Sequence, residues 1–169
     1  MPTPASSAQP WRLLLLCVAT QLGILAILGP IGPTLLQLQL CFAPERFRSI
    51  VGGWSAEELW RFQAHFLLDG AYPLLYGLLL RRRAVALALP RWVALAATAG
   101  AGCDVLENAL HASAALGSLS ATPDWVILGA AAAASTKWAV LLPVVLAEAP
   151  GSPLPLLLRK AGDAGVSTT

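Results

Sequence analysis

Apolar residues run along this chain in four long stretches, each too continuous for the one-sided helix of a soluble domain. The first, LLLLCVATQLGILAILG after Trp11-Arg12, is roughly 18 residues long and carries no charge, which is enough to cross a bilayer. A second, FQAHFLLDGAYPLLYGLLL over 62–80, ends in Arg81-Arg82-Arg83. The third and fourth open at Arg91 and Asp124. The pattern predicts an all-α, polytopic membrane protein: a four-transmembrane-helix bundle with helices over about 11–29, 56–82, 91–115 and 124–148.

Local signals sharpen these bounds. Gly29-Pro30-Ile31-Gly32-Pro33 follows the first stretch where a cleavable signal peptide would need a small-x-small site, so an uncleaved helix is expected. Residues 34–54 read as an interfacial segment: Pro44 suits a helix N1 position, Phe47, Ile50 and Val51 form a short amphipathic turn, and Trp54 and Trp60 mark a membrane surface. Ser55 with Glu58 is an S-x-x-E capping box, which starts the second helix at Ala56. Disordered tails are expected over 1–10 and 149–169.

Orientation follows from the basic residues near the helix ends. Arg12, Arg81, Arg82, Arg83, Arg91, Arg159 and Lys160 fall on one side, against Arg46, Arg48 and Arg61 on the other, so both termini are expected to be cytoplasmic. Composition agrees: 57% of the 169 residues are hydrophobic and 12% charged, against about a quarter charged in a soluble domain. A net charge of +2 without a gathered basic face excludes nucleic acid as a partner. Cys17, Cys41 and Cys103 form no CxxC pair and suggest neither disulfide nor zinc ribbon.

The chemistry lies in polar residues within the apolar helices. His65, Asp69, Tyr72 and Tyr76 are spaced i, i+4, i+7, i+11 and share one helix face, as do Asp104, Glu107, Asn108 and His111 on the third helix. At 1.5 Å per residue, Asp69 lies about 18 Å from Arg81, Asp104 about 20 Å from Arg91, and Lys137 about 16 Å from Glu148. That places Asp69, Asp104 and Lys137 in one layer, with His65 and Glu107 a turn nearer the outer face, at about 24 Å, and His111 at the outer mouth.

An ionisable group at the centre of a bilayer costs about 2.5–3.5 kcal/mol at least, so one can be structural glue. Three carboxyls facing one lysine leave a formal charge of about −2, which calls for a proton on a carboxyl, a charged histidine or a bound cation. The expected catalytic set is therefore Asp69, Asp104, Glu107, Lys137 and His65, with Tyr72, Tyr76, Asn108 and His111 as binding residues. No metal or other cofactor is expected; were a metal bound, its ligands would come from His65, Asp69, Asp104, Glu107 and His111, which form no tight signature such as HExxH.

The segments DGAYPLLYG (69–77), CDVLEN (103–108) and STKW (135–138), after PERF (44–47), resemble an uncharacterised group of small bacterial four-helix membrane proteins. That resemblance implies the fold and a bacterial plasma membrane, and brings no activity with it. In layout the chain is similar, more weakly, to the EXPERA family of four-helix sterol isomerases and lipid-binding proteins, with a long outer loop after helix 1 and an acid-bearing helix 2 with proline and tyrosine. The family's first helix can also carry an acid; here it carries none, and helix 3 carries two.

Together these features give an outward-opening polar pocket that binds, or transforms by acid/base chemistry, a small lipid-soluble molecule. A proton-coupled transporter or channel component and a structural or partner-binding subunit are the open alternatives. The expected partners are the lipid bilayer, the lipid-like molecule and a second copy of the chain.

Overall fold

The computed structural model of the protein describes residues 9–149 and 151, and every regular element among them is helical. In chain order these are α1 (Gln9–Leu28), α2 (Gly32–Gln39), α3 (Pro44–Gly52), α4 (Ala56–Asp69), α5 (Tyr72–Ala86), α6 (Arg91–Leu116) and α7 (Asp124–Glu148), with single 3-10 turns at Gly29–Ile31 and Leu119–Ala121. Apart from Gln9, Pro10, Ala149 and Gly151, the two expected tails lie outside the described residues. Gln9 and Pro10 belong to α1.

Two elements depart from the expected bounds, each for a backbone reason. The first helix does not stop at 29 but bends and continues: Gly29 adopts φ 50°, Pro30 and Pro33 cannot donate to the preceding turn, and the helix resumes as α2. Arg61 of α4 closes the break, its Nη1 donating to the Ile27 carbonyl at 2.9 Å while Nε and Nη2 hold Glu57. The helix expected over 56–82 is two helices. Its capping box starts α4, the Ser55 amide donating to Glu58 Oε2 at 2.7 Å and the Glu58 amide to Ser55 Oγ at 3.3 Å. At Gly70-Ala71 it breaks, because Pro73 has no N–H for the Asp69 carbonyl four residues earlier. After the arginine triplet α5 continues to Ala86 and ends with the Leu89 amide on the Ala84 carbonyl at 2.9 Å and Ala88 at φ 51°.

Helix α6 is the central element. It packs along α7 on one side and α5 on the other, while α1 lies against α4 and α5. Close approach is set by small residues: Gly77 of α5 faces Ala101 so tightly that a Cβ there would lie 2.6 Å from the alanine methyl, and Ala130, Ala131, Ala133 and Ala134 of α7 are buried. An arginine ties each end of the bundle: Arg48 of α3 donates to Asp124 and to the Thr122 carbonyl, and Arg83 of α5 donates to Glu148 Oε2 at 3.1 Å.

The perimeter is apolar. Leu67 is 83% exposed and Leu116 89%, and exposed leucines, valines and tryptophans occur on α1, α5, α6 and α7, while His65, Asp104, Glu107, His111 and Lys137 are buried inside. The stretch Trp11–Gln39, with mean hydropathy 2.2 and 22% of its window buried, and Asp124–Glu148, with mean hydropathy 1.6, are long and apolar enough to cross a membrane.

Packing at Gly77 generates a prediction. Gly77→Ala overpacks the α5–α6 contact and destabilises the protein by about 1–3 kcal/mol. Gly102→Ala on α6, where an added methyl meets nothing within 4 Å, stabilises by about 0.5–1 kcal/mol. Thermal unfolding midpoints of the purified variants in detergent check both signs.

Candidate functional site

Helix α6 places Asp104, Glu107, Asn108 and His111 on one buried stripe. Lys137 of α7 donates to Asp104 Oδ1 at 2.8 Å and to Glu107 Oε2 at 2.6 Å, with its own side chain 5% exposed. Tyr76 of α5 donates to the other Asp104 oxygen at 2.8 Å. Asn108 Nδ2 donates at 3.0 Å to the Asp69 carbonyl, the group that Pro73 leaves without a backbone donor.

This regroups the layers read from depth along the helices. Asp69 does not pair with Lys137: among the described residues its ion-pair partner is His65, Nε2 to Oδ2 at 3.8 Å. Lys137 instead takes both α6 carboxylates. The reason is side-chain direction. Helical side chains lean toward their own N-terminus, and α6 and α7 are consecutive and antiparallel, so Lys137 leans toward the Asp124 end while Glu107 leans toward the Arg91 end. A four-carbon lysine stem then brings Nζ to Asp104 and Glu107, one turn apart, at one point.

His65 Nδ1 donates to the Phe62 carbonyl, so in the neutral ring Nε2 carries only a lone pair. It faces the Asp69 carboxylate. At this separation the pair is attractive only when a proton lies on one of its members. A second histidine–carboxylate pair follows on α6, His111 Nδ1 to Glu107 Oε1 at 3.9 Å. Glu107 Oε1 and His111 Nε2 are buried without a hydrogen-bond partner among the described residues. Phe47 of α3 stacks on His111 at 6.1 Å, and Phe62 lies against both histidines.

The pocket does not open past these histidines as expected. Phe47 and Phe62, both fully buried, close that end. The opening is on the flank, where a cleft of about 610 Å³ runs between α1–α2 and α7, walled by Ile24, Leu28, Leu35, Leu79, Leu141 and Val145. Its floor is Asp69, Tyr72, Tyr76, Asp104 and Lys137, and the exposed Leu25, Leu36 and Leu142 lie on its rim. His65, Glu107, Asn108 and His111 are packed behind the floor and do not line it. Among the described residues no three His, Cys, Asp or Glu side chains converge as a metal site.

Gln21, a weak candidate in the sequence as a polar residue in the first apolar stretch, faces the cleft from α1, while other contributors escape a reading of polar spacing. Trp138 lines the cleft with its ring 5.3 Å from Lys137 Nζ, and Phe47 and Phe62 seal the histidines. Of these, Trp138 carries a signal, as a tryptophan far from either expected interface. Comparison with known proteins returned no matching family model, no matching curated protein and no matching solved structure.

Removing the lysine alone strands two carboxylates inside the bundle. Lys137→Met is expected to destabilise the protein by about 3–5 kcal/mol, whereas Lys137→Met with Asp104→Asn and Glu107→Gln recovers most of that loss. Thermal unfolding of both variants in detergent reads the difference.

Proposed function

We propose that this chain is a four-span protein of a bacterial plasma membrane, with both termini cytoplasmic, that binds or transforms by acid/base chemistry a small lipid-soluble molecule entering sideways from the bilayer. One observation carries the reading: the flank cleft has apolar walls and a floor of ionisable groups. Its volume is within the range of small-molecule sites, about 300–1,000 Å³. A ligand dissolved among lipid chains reaches such a cleft without crossing water.

Roles follow from how each floor group is already bonded. Asp104 is held on both oxygens, by Lys137 and Tyr76, and serves as fixed negative charge. Asp69 keeps its carboxylate free of any direct hydrogen bond from a lysine, arginine or tyrosine among the described residues, and it reaches the cleft with 15% of its side chain exposed. It is the group that gives a proton to the ligand or takes one, with His65 packed behind it. Lys137 orients both α6 carboxylates. Tyr72, whose ring meets Tyr76 edge-on at 5.2 Å, shapes the ligand's seat beside them. Asn108 holds the broken backbone that aims Asp69.

A second reading, a proton-coupled carrier, draws on the two histidine–carboxylate pairs that lead from the floor toward Phe47. It uses the same residues as a relay and forms no chemical product.

Native mass spectrometry with metal analysis, on protein gently extracted from its own membrane, separates the two. The wild type is expected to carry a lipid-like molecule that Asp69→Ala loses while staying folded. An equally stable protein, free of ligand in both forms, would overturn the ligand reading in favour of a relay or a purely structural cluster.

A further inference from the structure

The two ends of the bundle treat their arginines differently. At the α3 end Arg48 is paired with Asp124 and Arg61 with Glu57, and Arg46, exposed and without a carboxylate partner among the described residues, is outweighed because Glu45, Glu57, Glu58 and Asp124 stand against the three arginines. At the opposite end lie Arg12, Arg81, Arg82, Arg83 and Arg91, and the one described carboxylate beside them, Glu148, is taken by Arg83 through Nε at 3.1 Å. Arg12, Arg81, Arg82 and Arg91 have no carboxylate partner among the described residues and are exposed. An unmatched charge of +4 at one rim repels itself unless anions come to it.

The frame under three of these arginines is stiff. Arg81 and Arg82 lie a little over one turn before the end of α5, Arg91 opens α6, and the turn between the helices is held by the Leu87 amide on the Arg83 carbonyl at 2.8 Å and by the Leu89 amide on the Ala84 carbonyl. Ala84, Leu89 and Val93 are buried in one cluster with Val144 and Ala147, so the ends of both helices are fixed relative to each other. Around them Val85, Leu87 and Trp92 are exposed. Apolar side chains beside unpaired arginines fit the boundary between acyl chains and headgroups. A guanidinium matches a phosphodiester with paired N–H donors, which an ammonium cannot do.

We propose that the α5–α6 turn is a docking surface for the headgroup of an anionic phospholipid, bound by Arg81, Arg82 and Arg91. This rests on the membrane reading above and is independent of what occupies the flank cleft. Anionic lipid neutralises the rim, and the exposed Val85, Leu87 and Trp92 take its upper acyl chain. Zwitterionic lipid offers the phosphate without the net charge and binds more weakly.

The test reconstitutes the full chain into bilayers of phosphatidylcholine alone or with phosphatidylglycerol, and counts retained lipids by native mass spectrometry. At about fivefold per arginine near an anionic surface, the wild type is expected to prefer phosphatidylglycerol by about a hundredfold. Arg81→Gln/Arg82→Gln/Arg91→Gln brings the preference close to parity, and Arg46→Gln at the other end leaves it unchanged. Equal retention of both lipids by the wild type would overturn the proposal, as would a preference that survives the triple variant. So would an equal hold on inorganic phosphate in neutral bilayers, which would make a soluble anion the occupant. Failure to enter either bilayer would instead overturn the membrane reading on which the proposal rests.

Discussion

An ammonium group inside an apolar bundle is tolerable only where carboxylates meet it, and Lys137 between Asp104 and Glu107 is the contact on which the rest of this structure depends. Because both acids are on α6 and the lysine on α7, the pairing sets the rotation and the vertical register of the two longest helices. The buried alanines of α7 let the backbones approach closely enough for the lysine to span the gap. Tyr76 on the remaining Asp104 oxygen then brings α5 to the same point. One charged centre thereby orders three helices, and it leaves Asp69 as the cleft-lining carboxylate that neither Lys137 nor Tyr76 holds.

Broken helices supply the second organising feature. Each break releases a carbonyl, and each is met by a side chain from another helix: Arg61 on the Ile27 carbonyl and Asn108 on the Asp69 carbonyl. These contacts are more than repairs. The first turns α2 across the bundle toward α7, where Leu35 and Leu36 become part of the cleft, and the second fixes the last turn of α4, where Asp69 projects. The site is therefore built where the backbone is irregular and the side chains restore its hydrogen bonds.

Much of this is local and legible in residues. The capping box from Ser55 to Glu58 is a four-residue signal, and it is formed in the structure. The polar stripes of α4–α5 and α6 follow from 3.6-residue periodicity, and they do meet. Proline at 73 signals a freed carbonyl near Asp69. What spacing does not carry is partner choice: depth along each helix put Asp69 with Lys137, whereas the lean of side chains toward helix N-termini put Glu107 there. Nor does it carry the direction of opening. The cleft exists because α1 lies on α4 and α5 while α7 lies on α6, and no residue of α1 announces its neighbours. Arg83 and Glu148 are 65 positions apart, and nothing near either one names the other.

Trp138 offers the most direct view of the central claim, that the Lys137 cluster lies at mid-membrane behind a cleft facing lipid. It is half exposed on the cleft wall, with its ring beside Lys137 Nζ. With Trp11, Trp54, Trp60, Trp92 and Trp125 replaced by phenylalanine, its fluorescence can be quenched in bilayers by lipids brominated at successive acyl positions and by aqueous iodide. Strongest quenching by bromines deep in the acyl chain, with no effect of iodide, is the result this account predicts. Quenching by iodide without any effect of brominated lipid would contradict it.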